Sequence, residues 1–261
     1  MRQRWTRWTG PATSVLLAMA MTAAPARSSG ADAAGTAAHP RLAEAVALLE
    51  HAELTYEPAR LEEAIKVLDE LTQKEPSNAR YFYYLGRAYF PLINIHDYQG
   101  DAKTAAKLGE KGLEHVRTAV RLDEKGNPDA YRLLGDYYGR LSGYQGVFGR
   151  MRYGGRSMKF HKKAREMDPQ NMLTVIGEGT DKLFAPSAFG GDANEAVGLF
   201  TKAVEMEPAS PLGHVWLARS YLKLKKPELA REHFEKALAL APRSGFARGE
   251  YERAQRELAQ G

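Results

Sequence analysis

The sequence predicts an all-α fold in which about five helix pairs stack into a solenoid closed by a C-terminal capping helix. Three segments share one pattern, a large apolar residue, a small one and a tyrosine: Leu85-Gly86…Tyr89, Leu134-Gly135…Tyr138 and Leu217-Ala218…Tyr221. Each is followed by a second amphipathic segment that ends near a proline, which stops a helix. Equivalent points recur at 34 residues, as from Pro208 to Pro242. Small residues at fixed positions allow the paired helices to pack closely.

Residues 1–26 predict a signal peptide. MRQRWTRW is basic, and SVLLAMAMTAA is apolar but too short to span a bilayer comfortably. Ala24-Pro25-Ala26 then supplies small residues where a signal peptidase would cut. The alternative is an uncleaved anchor or a buried N-terminal helix. We therefore expect a periplasmic or secreted protein, with residues 27–40 as a flexible leader and residues 41–261 as the helical repeat domain.

Composition limits the classes of partner. The chain has 261 residues and no cysteine, which excludes a lipid-anchored lipoprotein and any disulfide. The formal net charge of +5 falls to +2 without the signal segment, which carries three Arg and no acid. Nothing in that balance requires a nucleic-acid partner, and no integral membrane span is expected after signal cleavage.

The helix pairs resemble the tetratricopeptide repeat (TPR) family. The last repeat matches best, with six residues at the family's consensus spacing: Ala218, Tyr221, Ala230, Phe234, Ala237 and Pro242. The resemblance covers roughly residues 41–242 and implies a right-handed superhelix whose first helices line a concave groove. In the fourth repeat, either Glu178-Gly179 or Ile176-Gly177 takes the place of Leu85-Gly86. The final helix, near residues 244–259, is rich in Arg and Glu and is expected to face solvent.

The repeat spacing widens in the middle of the chain. It is 49 residues from Leu85 to Leu134, and 44 from Gly135 to Gly179. We assign the excess to enlarged turns inside three helix pairs, PLINIHDYQGDAKT, SGYQGVFGRMRYGGRS and APSAFGGDAN. In a TPR solenoid such turns lie side by side along one edge.

Aromatic and polar residues on that edge are candidates for binding a partner protein or a glycan. They are Tyr98, Gln99, Tyr144, Gln145, Phe148, Arg152, Tyr153 and Phe189. The alternative is that these aromatic residues fold over helix ends and that the loops are structural.

The concave groove is the second candidate surface. The family positions that face it correspond here to Arg80, Tyr83, Arg87, Arg132, Asp136, Arg140, Arg219 and Lys223. Their excess of positive charge favours an acidic peptide or a C-terminal carboxylate. TPRs that clamp chaperone tails have Asn at the positions of Arg87, Asp136 and Arg219, so that clamp is not expected. The alternative is a solvated polar face without a ligand.

The glycine pair in FAPSAFGGDANEA predicts a turn into a helix. Asp192 is expected to be the N-cap, with Glu195 as the reciprocal half of a capping box. Gly190 and Gly191 would supply the unusual backbone angles. A phosphate cradle is disfavoured because Asp192 would repel an anion, and a cation loop would need more oxygen ligands.

Catalytic motifs are missing from the sequence. The seven histidines are scattered, none lies in HExxH or another metal-ligand spacing, and no nucleophile elbow or phosphate loop occurs. We therefore predict no catalytic residue, no metal and no cofactor.

The resulting hypothesis is a non-catalytic exported scaffold for a protein or peptide. Two alternatives are an accessory subunit of a periplasmic transport or cell-envelope assembly system, and a carbohydrate-active or carbohydrate-binding protein.

Overall fold

A computed structural model describes residues 39–260. The predicted signal peptide and nearly all of the predicted leader lie outside these residues. The described part forms eleven α-helices: α1 (Pro40–Thr55), α2 (Pro58–Lys74), α3 (Ala79–Tyr98), α4 (Ala102–Leu122), α5 (Pro128–Ser142), α6 (Val147–Met167), α7 (Met172–Phe184), α8 (Ala193–Met206), α9 (Pro211–Lys223), α10 (Pro227–Leu240) and α11 (Gly245–Gln260). The first ten helices form five antiparallel pairs, so the predicted all-α solenoid is confirmed. None of the described helices is long and apolar enough to cross a membrane.

Close contact between the helices of a pair depends on one glycine in each of three first helices. A Cβ atom on Gly86 would overlap Val116, and one on Gly135 would overlap the His161 ring. Gly179 meets Phe200 in the same way. Gly179 is therefore the equivalent of Gly86, which settles the register of the fourth repeat. Glu178 occupies the position where the second, third and fifth pairs have a buried leucine, but it is only half-buried.

The prediction of enlarged turns is wrong for two of the three inserts. α3 continues to Tyr98 and α6 already begins at Val147, so most of the first two inserts is helical. Consequently α3, α4 and α6 have 20 or 21 residues, whereas α7 to α10 have 13 or 14. The glycines of the second insert suggested a loop. They are tolerated in α6 because its face at Ser157, His161 and Ala164 is buried against the neighbouring helices.

The third insert is an irregular turn, as predicted. It contains a 3₁₀ turn (Ser187–Phe189), after which Gly190 adopts a left-handed conformation with φ of 85°. Asp192 caps α8 by accepting hydrogen bonds from the backbone N–H groups of Asn194 and Glu195, at 2.7 and 3.3 Å. The capping box is incomplete, because the carboxylate of Glu195 pairs instead with Lys182 at 2.5 Å.

The C-terminal helix α11 does not simply face solvent, and that part of the expectation is wrong. It packs on α9 and α10, and also contacts α1 and α3 at the other end of the array. Ala247, Ala254 and Glu250 are buried. A Cβ atom on Gly249 would overlap the Tyr98 ring, so the glycines of α11 allow the helix to approach the first two repeats. α11 therefore joins both ends of the solenoid.

Candidate binding surfaces

Arg87, predicted to bind a ligand in the groove, is paired within the chain. Its Nη2 lies 2.5 Å from Glu53 Oε2, and its guanidinium lies 5.9 Å from the Tyr83 ring centroid. Burial would lower the pKa of Arg87, but the Glu53 carboxylate raises it, so the guanidinium stays ionised. Tyr83 is buried, and Arg80 lies in the first turn of α3, partly buried. Arg87 therefore holds α1 and α3 together, and Tyr83 packs beside its guanidinium.

The groove residues of α5 are also engaged. Arg132 pairs with Asp136, and Arg140 pairs with Asp97 at 3.0 Å and donates to the Asn94 side chain. Asp97 in addition accepts a hydrogen bond of 2.6 Å from Tyr144 Oη. Because Asp97 and Asn94 lie on α3, these bonds hold α3 and α5 together beside the turns that follow them.

A buried histidine connects the third and fourth repeats. His161 Nε2 lies 3.0 Å from Asp136 Oδ1, and its Nδ1 lies 2.8 Å from Asp181 Oδ2. Burial would lower the pKa of His161, but the hydrogen bonds and charges of the two carboxylates raise it to about 9. Arg132 and then His161 lower the pKa of Asp136 against the effect of its own burial. We call Arg132, Asp136, Ser157, His161 and Asp181 the histidine cluster.

The histidine cluster contains the residue types of a catalytic triad, but its geometry is structural. Ser157 Oγ donates to Gly135 O at 2.9 Å and contacts Asp181 Oδ1 at 2.8 Å, and it makes no hydrogen bond to His161. Both ring nitrogens of His161 contact carboxylates, so neither can accept a proton from Ser157. The side chains of Ser157 and His161 are buried. The cluster therefore stabilises the repeat junction.

The histidine cluster was missed at the sequence level, although the repeat register contains its signal. His161 lies three residues before Ala164 and eight before Pro169, which are the offsets of Phe200 and Phe234 in the next two repeats. Ser157 likewise replaces a small apolar residue. Ser157 and His161 thus stand where the next two repeats have apolar side chains, and buried polar groups require hydrogen-bond partners. The packing of α5 and α7 against α6 supplies those partners.

At the C-terminal end of the array, α11 pairs with Arg219, one of the predicted groove residues. Arg219 pairs with Glu250 at 3.3 Å and with Glu257 at 2.9 Å. Tyr98 Oη donates to Glu250 Oε1 at 2.9 Å. Burial, and then the charge of Glu250, raises the pKa of Tyr98. Lys223 is exposed and donates to Leu183 O. Residues from both candidate surfaces, Arg219 and Tyr98, therefore hold the chain's own C-terminal helix.

The remaining residues of the predicted edge divide into packed and exposed side chains. Tyr153 packs edge-on against Tyr138, with ring centroids 5.5 Å apart, and donates to Glu110 at 3.3 Å. Gln145 is half-buried, whereas Gln99 is exposed. Phe148, Arg152 and Phe189 are also exposed. The structure therefore leaves four of the eight edge residues accessible to a partner: Gln99, Phe148, Arg152 and Phe189.

An open groove of about 630 Å³ lies between α6 and α8. Its lining includes Met158 of α6, Gly198 and Leu199 of α8, and Phe189 of the turn before α8. The helix α7 contributes the charged residues Glu178, Asp181 and Lys182. A Cβ atom on Gly198 would meet nothing within 4 Å, so the groove is open above that residue. We call this feature the α6–α8 groove. The FAPSAFGGDANEA turn thus shapes a surface depression, with Phe189 and Gly190 in its lining.

Two other histidines, His214 and His233, form a pair with their Nδ1 atoms 3.0 Å apart. Burial, and then the charge of His214, lowers the pKa of His233 to about 4. Within residues 39–260, no group of three or more His, Asp or Glu residues is arranged to hold a metal ion. The two histidines form a packing contact between α9 and α10. Tyr221 lies next to them and stacks on His233.

Two family models described as tetratricopeptide repeat match the chain, one over residues 49–111 and the other over residues 211–244. The second of these spans α9 and α10. The chain contains tetratricopeptide repeats. The matched residues lie in the first, second and fifth helix pairs, and α11 follows the fifth pair.

Several solved structures are similar to this chain. TTC0263, a thermophilic TPR protein of Thermus thermophilus, has a TM-score of 0.62 and 21% identity, covering 82% of this chain and 97% of its own. MamA has a TM-score of 0.43 and 15% identity over 70% of this chain and 89% of its own. YrrB, a TPR protein with an unusual peptide-binding site, scores 0.39 with 17% identity over 80% of this chain and 92% of its own. At 21% identity the likeness to TTC0263 concerns the fold alone. No curated protein sequence matches the chain.

Proposed function

We propose that this protein is a non-catalytic TPR scaffold that binds a partner protein or peptide in the α6–α8 groove. The observation that carries the proposal is the groove itself, an open depression of about 630 Å³ with Met158, Phe189 and Leu199 in its lining. Phe189 is 50% exposed and Met158 is 36% exposed. Exposed apolar side chains around a depression are typical of sites that bind an apolar anchor residue of a partner.

The charged residues beside the groove favour an apolar anchor over a charged one. Lys182 pairs with Glu195 at 2.5 Å, and Asp181 is bonded to His161 and Ser157. Because these charges have partners within the chain, the apolar side chains of the lining are left to contact the ligand. Such an arrangement orients a ligand by hydrogen bonds while burial of the anchor supplies the binding free energy.

The concave side is a weaker candidate for the same function. Arg87, Arg140 and Arg219 are paired with carboxylates of the chain, and α11 lies against Arg219. An acidic peptide would have to displace those carboxylates and the helix that carries one of them. That exchange replaces one ion pair with another and therefore offers little net free energy.

Photo-crosslinking from the groove tests this proposal. A benzophenone amino acid at Leu199 should crosslink one defined partner in a cell-envelope extract. The yield should fall at least about tenfold in Gly198→Phe, whose ring fills the groove. Gly198→Phe should not lower stability, because the new side chain enters open space and leaves a helix without an interior glycine.

Thr201→Phe is the matched control, because Thr201 is exposed on α8 and does not line the groove. It should crosslink as the unsubstituted chain does. Equal yields in Gly198→Phe and the unsubstituted chain would show that the groove is not the binding site.

The proposal includes action after export, with a partner in a transport or assembly system of the cell envelope. It is supported by the basic segment, apolar segment and small residues that precede Arg27. Mass spectrometry of the protein from fractionated cells should find an N-terminus at Arg27 in the exported fraction. A cytoplasmic protein that retains Met1 would contradict this part of the proposal.

A further inference from the structure

The positive charge of the chain is concentrated on two adjacent outer helices. α6 carries seven Lys and Arg against one Glu, and α4 carries five against two, for a combined formal charge of +9. The whole chain has +5, so the remaining residues together carry −4. Such an asymmetry attracts an anionic partner to one side of the molecule.

Side-chain hydrogen bonds link the N-terminal parts of α4 and α6. Tyr144, in the turn before α6, donates to Asp97, near the turn before α4, at 2.6 Å. Further along, Tyr153 Oη lies 3.3 Å from Glu110 Oε1 and connects the two helices. Four exposed cations therefore lie along one edge, in the first two turns of the two helices: Lys103, Lys107, Arg150 and Arg152.

None of these four cations forms an ion pair with a residue in the described part of the chain. By contrast, the arginines of the concave side, Arg87, Arg140 and Arg219, all pair with carboxylates of the chain. Positive side chains without intramolecular partners keep their full attraction for an external anion.

Large apolar side chains project from the same edge. Phe148 is 86% exposed, Val147 is 73% exposed and Met151 is 50% exposed. All three lie in the first two turns of α6, and Arg150 and Arg152 lie between and beside them. We call the four cations and these three apolar residues the basic edge.

We propose that the basic edge docks on the surface of an anionic lipid bilayer, with Val147, Phe148 and Met151 inserted among the lipids and the four cations at the headgroups. Cations next to a few projecting apolar side chains are the chemistry of interfacial membrane binding. A nucleic acid would satisfy the cations, but it would leave Val147 and Met151 without an apolar environment. The proposal goes beyond the scaffold function, because the α6–α8 groove is formed by other residues.

Vesicle binding of the full-length chain tests the proposal. The probes are vesicles of phosphatidylcholine alone and vesicles with about one third phosphatidylglycerol, in buffer of roughly physiological ionic strength. We expect the protein to sediment with the anionic vesicles and not with the neutral ones. Binding to both kinds alike, or to neither, would overturn the proposal.

Three double variants locate the contact. Arg150→Glu with Arg152→Glu, and Phe148→Ser with Met151→Ser, should each reduce partitioning onto anionic vesicles more than about tenfold. Lys74→Glu with Lys125→Glu is the matched control, with the same change of charge at exposed residues on the opposite edge. It should retain at least half of the binding. A similar loss in the control would overturn the proposal in favour of non-specific attraction.

The chain has no cysteine, so a single label reports insertion. Met151→Cys carrying an environment-sensitive fluorophore should shift its emission to the blue on anionic vesicles, and a label at Lys125→Cys should not. An unshifted label at Met151→Cys would overturn insertion, even if the protein sediments through its N-terminal segment. Stronger binding to a duplex DNA oligonucleotide than to anionic vesicles would also overturn the proposal and favour a nucleic-acid partner.

Discussion

The concave side and the basic edge use the same residue types in opposite ways. On the concave side, Arg87, Arg140 and Arg219 are partly buried and each contacts a carboxylate of another helix. On the basic edge, Arg150 and Arg152 are exposed and make no ion pair within the described residues. The arginines of the concave side are thus engaged by the chain itself, whereas those of the basic edge are exposed to an external anion.

The largest expected effect is at the centre of the concave network. Asp136→Ala leaves Arg132 and His161 buried without the carboxylate that they share, and should lower the free energy of unfolding by about 3–5 kcal/mol. Urea unfolding measures this difference. Glu114→Ala, an exposed carboxylate on α4, should change it by less than about 0.5 kcal/mol. Equal effects in the two variants would show that the network is not structural.

The second effect is the pH dependence of the histidine cluster. The pKa of His161 rises to about 9 in the folded state, from about 6.5 in the unfolded chain. Protonated His161 therefore contributes stability that is complete below pH of about 6.5 and is lost as the pH rises through 9. The loss should be about 3 kcal/mol.

The pH dependence is best measured as a difference between two proteins, because other groups also titrate at alkaline pH. Urea unfolding of the unsubstituted chain and of His161→Gln should give stabilities that converge as the pH rises. Parallel curves for the two proteins would contradict a protonated His161 in the folded state.

A smaller effect is expected where α11 joins the two ends of the solenoid. Glu250→Ala removes the acceptor of Tyr98 and one partner of Arg219, and should cost about 2 kcal/mol. Glu252→Ala is the matched control, exposed on the same helix, and should be nearly neutral. Hydrogen exchange should become faster in α11 and at the end of α3 in Glu250→Ala alone. Unchanged exchange there would contradict the closure.

The smallest effect on stability is expected at the basic edge. Arg150→Ala with Arg152→Ala should change the free energy of unfolding by less than about 0.5 kcal/mol, because neither side chain pairs with a carboxylate in residues 39–260. Thermal unfolding checks this. A loss of several kcal/mol would show that the basic edge is part of the folded core and would remove the contrast with the concave side.

The amino-acid sequence by itself determined the repeat architecture. Spacings between small and aromatic residues, such as Gly86 to Tyr89 and Ala230 to Phe234, are local and periodic, so they specify five helix pairs without knowledge of their contacts. The N-cap at Asp192 was equally predictable, because capping depends on neighbours within three residues.

Only the tertiary structure decided which charged and aromatic residues are available to a partner. Glu53, Asp97 and Glu250 lie 34, 43 and 31 residues from the arginines that they neutralise, on other helices. Pairing over such distances depends on how the solenoid curves and on where α11 returns. The helical extension through the glycine-rich insert also follows from packing, because α5 and α7 bury the inner face of α6 and outweigh its weak intrinsic propensity.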